Sequence, residues 1–444
     1  MDGPPQDGRG PGSTGSTLDA FTDRYADRTL GMTASEIRAL FAVASRPEVV
    51  SLAGGMPYTS ALPLDAVGKL LSDLMATRGA QALQYGSGQG DPQLRELICE
   101  VMSLEGVTAS PEDVVVTVGS QQALDLVTRV FCDPGDVVLA EAPSYVGALG
   151  TFAAYQAEVV HVAMDADGLI PAALREALAA VAAQGKTAKF LYTIPNFHNP
   201  AGVSLADTRR DEVLAICQRA GLLVLEDNPY GLLGFDGAPI PAIRARSGVD
   251  DVVYLGSFSK TFAPGLRVGW VLAPHAVREK LVLASEATVL CPPQLNQLLV
   301  VDYLTSQDWR GQVEVFREIY RERRDAMLSS LTSLMPAATT WTVPAGGFYV
   351  WATLPPGLDS KVMQPRALSA RIAYVPGVGF YSDGQGGRDL RLSYCFPEPD
   401  RIREGVRRLA GVVEQELELL ETFGPTIQPH RTAGAARTPA PDTT

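Results

Sequence analysis

Between about residues 114 and 273 the chain alternates short, β-branched apolar runs with longer stretches whose apolar residues recur at helical spacing. Seven runs stand out: "VVVTV" (114–118), "DVVLAE" (136–141), "EVVHVA" (158–163), "KFLYTI" (189–194), "LLVLED" (222–227), "VVYLGS" (252–257) and "VGWVLA" (268–273). They are short and almost continuously apolar, which predicts strands buried on both faces. Segments such as "SQQALDLVTRVF", "PAALREALAAVAAQG" and "ADTRRDEVLAICQRAG" predict helices between several of them. The alternation predicts an α/β fold, with a mixed, mostly parallel seven-stranded sheet flanked by helices.

After residue 300 the texture changes. A long helical stretch is expected from about 306 to 334, and "GGFYVWATL" and "DLRLSYC" alternate as strands, which predicts a smaller α+β domain. Residues 18–75 contain one amphipathic helix, "ASEIRALFAVA", which needs the C-terminal part or another subunit to pack on. The ends are rich in Gly, Pro, Ser and Thr and predict disorder. The expected division is a tail at 1–17, an N-terminal arm and part of the small domain at 18–75, a large domain at 76–300, a C-terminal small domain at 301–424, and a tail at 425–444.

Composition narrows the function classes. Of 444 residues, 46% are apolar and 20% charged, as in ordinary soluble proteins. A net charge of -13 argues against nucleic acid or an anionic membrane as partner. The five cysteines form no C-x-x-C pair, which fits reduced thiols, and the four histidines, His198 of "PNFHNPAG" among them, show no metal-ligand spacing. The N-terminus has neither a basic start nor an apolar stretch, so the expected location is the cytoplasm.

Ligands of open α/β sheets bind beyond the carboxyl ends of the strands. "VVVTV" ends in Gly119, Ser120 and Gln121 at the start of a helix, where backbone N–H groups and the dipole favour an anion; the same residues also suit a plain tight turn. "LLVLED" ends in Glu226-Asp227, followed by "NPY": a turn cap, or a carboxylate for a protonated ring nitrogen. "KFLYTI" leads to Asn199 in "NPAG", a turn former whose amide could hold a phenolic oxygen. "VVYLGS" leads to Lys260, where desolvation and nearby cations would favour a neutral, nucleophilic amine. Arg267 would add a fixed charge for a phosphate or carboxylate.

These residues, in this order, resemble a fold-type I, pyridoxal-phosphate-dependent aminotransferase of class I/II over residues 30–420. "SFSKTFAPGLRVGW" resembles the signature around the Schiff-base lysine; "SLAGGMP", "LQYGSGQGDPQLRE", "GSQQALDL", "EAPSY", "NPAG", "EDNPY" and "LRLSY" match in order. The set is most similar to the 2-aminoadipate and kynurenine aminotransferase branch. The resemblance implies that Lys260 forms the Schiff base and shuttles a proton, and that Asp227 pairs with the pyridinium nitrogen. It implies that Asn199 and Tyr230 hold the ring oxygen, that Tyr145 stacks on the ring, and that Gly119, Ser120, Gln121, Ser257, Ser259 and Arg267 hold the phosphate. Tyr85 would reach the phosphate of a neighbouring subunit, which implies a homodimer. Arg391 would take the substrate α-carboxylate bidentately, and Gly55 and Asn199 would face the substrate.

The resemblance implies transfer of an amino group from an L-amino acid (2-aminoadipate, aromatic or branched/aliphatic) to a 2-oxo acid such as 2-oxoglutarate, by ping-pong chemistry. Arg38 either binds a distal substrate carboxylate or is a solvated helix charge; Gly231 departs from the family's usual tyrosine–arginine pair. The alternative is a cyclase, oxidase or decarboxylase on the same scaffold. A transcription regulator would need a basic winged-helix domain ahead of this one, and a dinucleotide dehydrogenase a different glycine spacing before Glu141.

Overall fold

The computed structural model describes residues 21, 24–32, 46–246 and 251–424. All seven expected strands form and join one sheet, in the order Val114–Thr117, Gly269–Leu272, Val252–Ser257, Leu223–Asp227, Ala188–Thr193, Val137–Ala142 and Glu158–Asp165. An eighth strand, Gly168–Leu169, folds back antiparallel on Met164 and Asp165. Two residues after a turn are too short to leave a hydrophobic run, so the sequence pattern holds no sign of it.

Successive residues alternate between two buried layers. Val138, Ala140, Phe190, Tyr192, Leu225, Val253 and Leu255 pack with the helix Ser120–Phe131 on one face. Val137, Leu139, Leu191, Val224 and Val252 pack with helices Pro171–Ala183 and Asp207–Ala220 on the other. Fully burying a Val or Leu contributes about 1.5–3 kcal/mol, so both faces had to be apolar.

The strand Gly269–Leu272 runs antiparallel to both neighbours, while the strands from Val252–Ser257 across to Glu158–Asp165 are mutually parallel. As a result Thr117, Ala142, Thr193, Asp227 and Ser257 all end at one edge of the sheet. Arg267, just before the reversed strand begins, arrives at the same edge.

A four-stranded antiparallel sheet follows, in the order Thr340–Trp341, Tyr349–Thr353, Asp389–Ser393 and Val375–Pro376. Val50–Ser51 pairs in parallel with Ile372–Ala373, which ties the N-terminal segment to this C-terminal part. The expected junctions at 75/76 and 300/301 fall inside the helices Leu64–Ala82 and Gln294–Ser306. Arg78, at a kink in the first helix, clasps Asp302 of the second with both carboxylate oxygens, at 2.5 and 2.6 Å. The change in sequence texture therefore occurs within continuous helices. Residues 1–17, the segment "ASEIRALFAVA" with Arg38, and residues 425–444 lie outside the described residues. Among the described residues no helix is long and apolar enough to cross a membrane.

Candidate active site

The sheet edge first builds an anion cradle. Gly119, at φ 75°, opens the helix Ser120–Phe131 without a side-chain cap; the Gln122 N–H turns back to Gly119 O at 3.2 Å, which leaves the helix start at Ser120 and Gln121 uncapped toward an anion. Gly269 lies against the Gly119–Ser120 backbone so closely that a Cβ on it would sit 2.7 Å from Gly119 C and Ser120 N. Arg267, itself at φ 53°, reaches over from the neighbouring loop and donates to Val118 O at 3.2 Å. Ser257 Oγ donates to Ser259 Oγ at 2.8 Å and accepts from the Ser259 N–H at 3.0 Å. Since Ser257 pairs with Gly269, hydroxyls, amides and guanidinium form one contiguous surface.

Tyr145 flanks this cradle, with its hydroxyl 3.4 Å from Gln121 Oε1. Burial pushes the phenol up to about 12, so it remains neutral. The Gln121 amide nitrogen is engaged by Thr151 Oγ1 at 2.9 Å, which fixes that side chain sideways across the helix start.

Lys260 Nζ donates to the Gly55 carbonyl at 2.8 Å and lies 5.5 Å from the centroid of the Phe348 ring. Desolvation, seconded by the charges of Arg391 and Arg267 against an opposing influence from Cys395, lowers this amine to about 8. Roughly a tenth of the amine is therefore neutral at pH 7 and about half near pH 8, as a nucleophilic lysine requires.

Asp227 is buried at the end of its strand. One oxygen, Oδ2, accepts from the Tyr192 hydroxyl at 2.9 Å, while Oδ1 has no hydrogen-bond partner among the described residues. Burial pushes the carboxyl up to about 7, opposed by the Tyr192 bond. A buried carboxylate oxygen left open costs stability unless a donor meets it, so the site is shaped for a cationic N–H.

Arg391 lies in the middle of the small sheet and is almost wholly buried. Its Nη1 donates to Asn199 Oδ1 and its Nη2 to Ala53 O, both at 2.8 Å, while Nε has no partner among the described residues. The guanidinium rests 4.2 Å from the Tyr349 ring centroid and 5.1 Å from that of Phe380. Tyr349 also meets Tyr230, hydroxyl to hydroxyl at 3.5 Å, and its hydroxyl abuts Gly55, where a Cβ would overlap it. Asn199 is held by its own loop: His198 Nδ1 accepts from the Ala201 N–H at 3.2 Å, and Nε2 faces Glu141 Oε2 at 3.1 Å.

Behind the site runs a buried polar chain. Arg210 donates to Asn196 Oδ1 at 2.5 Å, Asn196 to Asn228 Oδ1 at 3.1 Å, and Asn228 to Glu105 Oε1 at 2.6 Å. Tyr254 donates to Glu105 Oε2 at 3.0 Å. Burial lifts Glu105 to about 7 against these bonds. The chain fixes the loops carrying Asn199 and Asp227–Tyr230. It also gives Gly231 a local reason: a Cβ there would collide with Glu105 Oε1 and Asn228 Nδ2.

Thus Gly55, Gly119, Ser120, Gln121, Tyr145, Asn199, Asp227, Tyr230, Ser257, Ser259, Lys260, Arg267 and Arg391 come together. Tyr85 does not: it is 76% exposed on the surface. Tyr192, Tyr349, Phe348, Phe380 and Glu105 were missed from the sequence. The four aromatics sit in runs that read as core and Glu105 in a turn; periodicity reports burial but not the partner a buried polar tip finds.

The model of the aminotransferase class I and II family matches residues 47–409. The chain belongs to this family. It is 39% identical over 404 residues to aromatic-amino-acid aminotransferase 1 of Thermococcus litoralis, covering 90% of this chain and 96% of that one. It is 38% identical over 390 residues to 2-aminoadipate transaminase of Thermus thermophilus, covering 87% and 96%. The crystal structure of Pyrococcus horikoshii kynurenine aminotransferase in complex with PMP superposes with a TM-score of 0.86 at 37% identity, covering 90% of this aminotransferase and 100% of that chain. The cofactor is pyridoxal 5′-phosphate, and the residues present fit it: an open anion cradle, an unpartnered buried carboxylate oxygen and a low-pKa amine.

The cradle makes a first prediction. In Gly119→Ala the new Cβ must displace the Arg267 guanidinium, and φ 75° strains the alanine. Affinity for pyridoxal phosphate should fall at least about tenfold, from a backbone cost of about 1–3 kcal/mol in a region that only glycine occupies freely plus a lost charge contact. Equilibrium titration of cofactor-free aminotransferase checks this; unchanged affinity would remove Gly119 from the cradle.

Proposed function

We propose that this aminotransferase moves the amino group of an L-amino acid, of the 2-aminoadipate, aromatic or branched/aliphatic classes, to a 2-oxo acid, with 2-oxoglutarate as acceptor and two half-reactions sharing one site. The observation that carries it is Arg391: a buried guanidinium pinned by Asn199 and Ala53 over the ring of Tyr349, whose hydroxyl abuts Gly55, the residue whose carbonyl holds Lys260. A fixed planar cation beside a neutral amine suits an α-amino acid, whose carboxylate it would orient. The relatives named for aromatic amino acids, 2-aminoadipate and kynurenine support the aromatic and 2-aminoadipate donor classes.

Bound pyridoxal phosphate supplies a carbonyl that takes up the amino group and a ring that withdraws electrons from Cα. Gly119, Ser120, Gln121, Ser257, Ser259 and Arg267 would hold its phosphate, and Tyr145 would cover the ring. Asp227 Oδ1 would accept the ring N–H. Asn199, through its amide nitrogen, and Tyr230 would donate to the ring oxygen. Lys260 Nζ, neutral for part of the time near pH 8, would attack the carbonyl and later carry the proton to and from Cα. Arg38 would meet a distal carboxylate.

We further propose a homodimer in which Tyr85 serves the second copy's site. Its loop packs through Gly88 against Glu286 and through Gly86 against Gln294. Around it Leu83, Leu283 and Leu290 are exposed, at 70, 60 and 55%. Leu290 also has φ 65° and ψ -58° in a tight γ-turn closed by the Cys291 N–H on Val289 O. Exposed apolar residues on a strained, well-packed base mark an association surface.

A panel of L-amino acids with 2-oxoglutarate tests the reaction. Glutamate is expected from at least one aminoadipate, aromatic or branched/aliphatic donor. No glutamate from any of them would sink the transamination reading and favour a cyclase, oxidase or decarboxylase.

A further inference from the structure

We propose that Tyr192 is the positioning residue that aims Asp227, holding one carboxylate oxygen so that the other faces the cofactor ring nitrogen. This rests on the reading of Asp227 given above.

The geometry is specific. Tyr192 lies on Ala188–Thr193, beside the strand that ends in Asp227, and its backbone pairs with Leu225. Its ring cannot swing. It is fully buried and meets Phe152 edge-on, with centroids 5.6 Å apart and planes at 77°, while Phe152 also meets Phe190 at 5.8 Å. The hydroxyl therefore has one place to go, and it goes to Asp227 Oδ2 at 2.9 Å.

Burial and the neighbouring Asp227 charge keep the Tyr192 phenol far above its ordinary range, so it is a donor at every pH the protein meets. An aspartate has two equivalent oxygens and a broad terminal torsion. Capping one with a rigid donor removes that freedom and leaves Oδ1, buried and unpartnered among the described residues, as the remaining acceptor. The same bond favours the ionised carboxylate against the burial that would neutralise it. A neutral carboxyl would accept the ring N–H poorly and would compete for a proton with the ring itself.

The arrangement is tested without catalysis, using pyridoxamine 5′-phosphate labelled with 15N at the ring nitrogen. This ligand lacks the carbonyl, so its affinity reads the ring and phosphate contacts alone. Tyr192→Phe keeps the ring packed on Phe152 and removes only the hydroxyl. It should weaken binding about tenfold, in line with loss of one hydrogen bond to a charged group, and shift the 15N resonance toward the unprotonated position. In an Asp227→Asn background the same substitution should do neither, because the group it acts through is gone. An equal loss in both backgrounds means general packing and overturns the proposal. So does an unchanged resonance in Tyr192→Phe when Asp227→Asn alone shifts it. If Asp227→Asn shifts nothing, the Asp227 reading falls too, and the two failures are told apart by that single variant. Melting curves of the ligand-free variants show that each is folded.

Discussion

Lys260→Ala should abolish transamination, lowering kcat by at least about 10⁴-fold, the upper range for loss of a general acid–base, with loss of the covalent step besides. The reasoning is positional. Lys260 follows the strand Val252–Ser257, and its buried amine reaches the Gly55 carbonyl at 2.8 Å, where the site residues converge. Lys260→Arg should be equally inactive, because guanidinium stays protonated at every relevant pH. In the wild-type protein, the rate of pyridoxal phosphate capture should rise with pH and level off above about 8, since the amine lowered to that value must lose its proton to attack. Stopped-flow absorbance of cofactor-free protein measures this. A pH-independent capture rate, or a pH-dependent near-visible band that survives Lys260→Ala, would reassign the lysine.

The second large effect is expected at Arg391. Arg391→Lys keeps the positive charge but gives up the planar fork held by Asn199 Oδ1 and Ala53 O. Two charge-assisted hydrogen bonds at roughly 1.5–3 kcal/mol each predict a fall of kcat/KM for amino acids by about 10²–10⁴-fold, falling mainly on KM. The control is an amine with the same side chain and no α-carboxylate: its single-turnover rate should be nearly the same in variant and wild type. Equal losses for acid and amine would mean that Arg391 serves the fold, as its packing on Tyr349 and Phe380 also allows.

Much of this site was legible because a sheet makes a simple promise. If short apolar runs become neighbouring strands, whatever polar residues end them converge, and Gly119, Asn199, Asp227, Ser257 and Lys260 did. Arg391 was found through the "LRLSY" resemblance; strand alternation alone says only that it is internal or external. Tyr192 shows the limit. A tyrosine in a buried strand reads as core, and its ring is core; only the register between two strands puts its hydroxyl at Asp227. Glu105 is harder still, since it belongs to a turn whose partners are Asn228, just after the strand Leu223–Asp227, and Tyr254, within Val252–Ser257. The expected junctions at 75/76 and 300/301 fall inside helices, because composition can change within a helix that does not end there.

The reversed strand Gly269–Leu272 carries a consequence for how the molecule assembles. Lys260 and Arg267 lie on the short connection between it and its antiparallel neighbour Val252–Ser257, a local pairing that closes a small loop. Gly119 follows Val114–Thr117, a strand far earlier in the chain that docks only on the open side of the reversed strand. Local pairs form before distant ones in a chain that must pay loop entropy for each contact. The reactive amine and its cation are thus expected to assemble first and the cradle to be completed last. A chain that has not seated its first strand holds the lysine but cannot grip a phosphate, so cofactor capture doubles as a check that the sheet is whole.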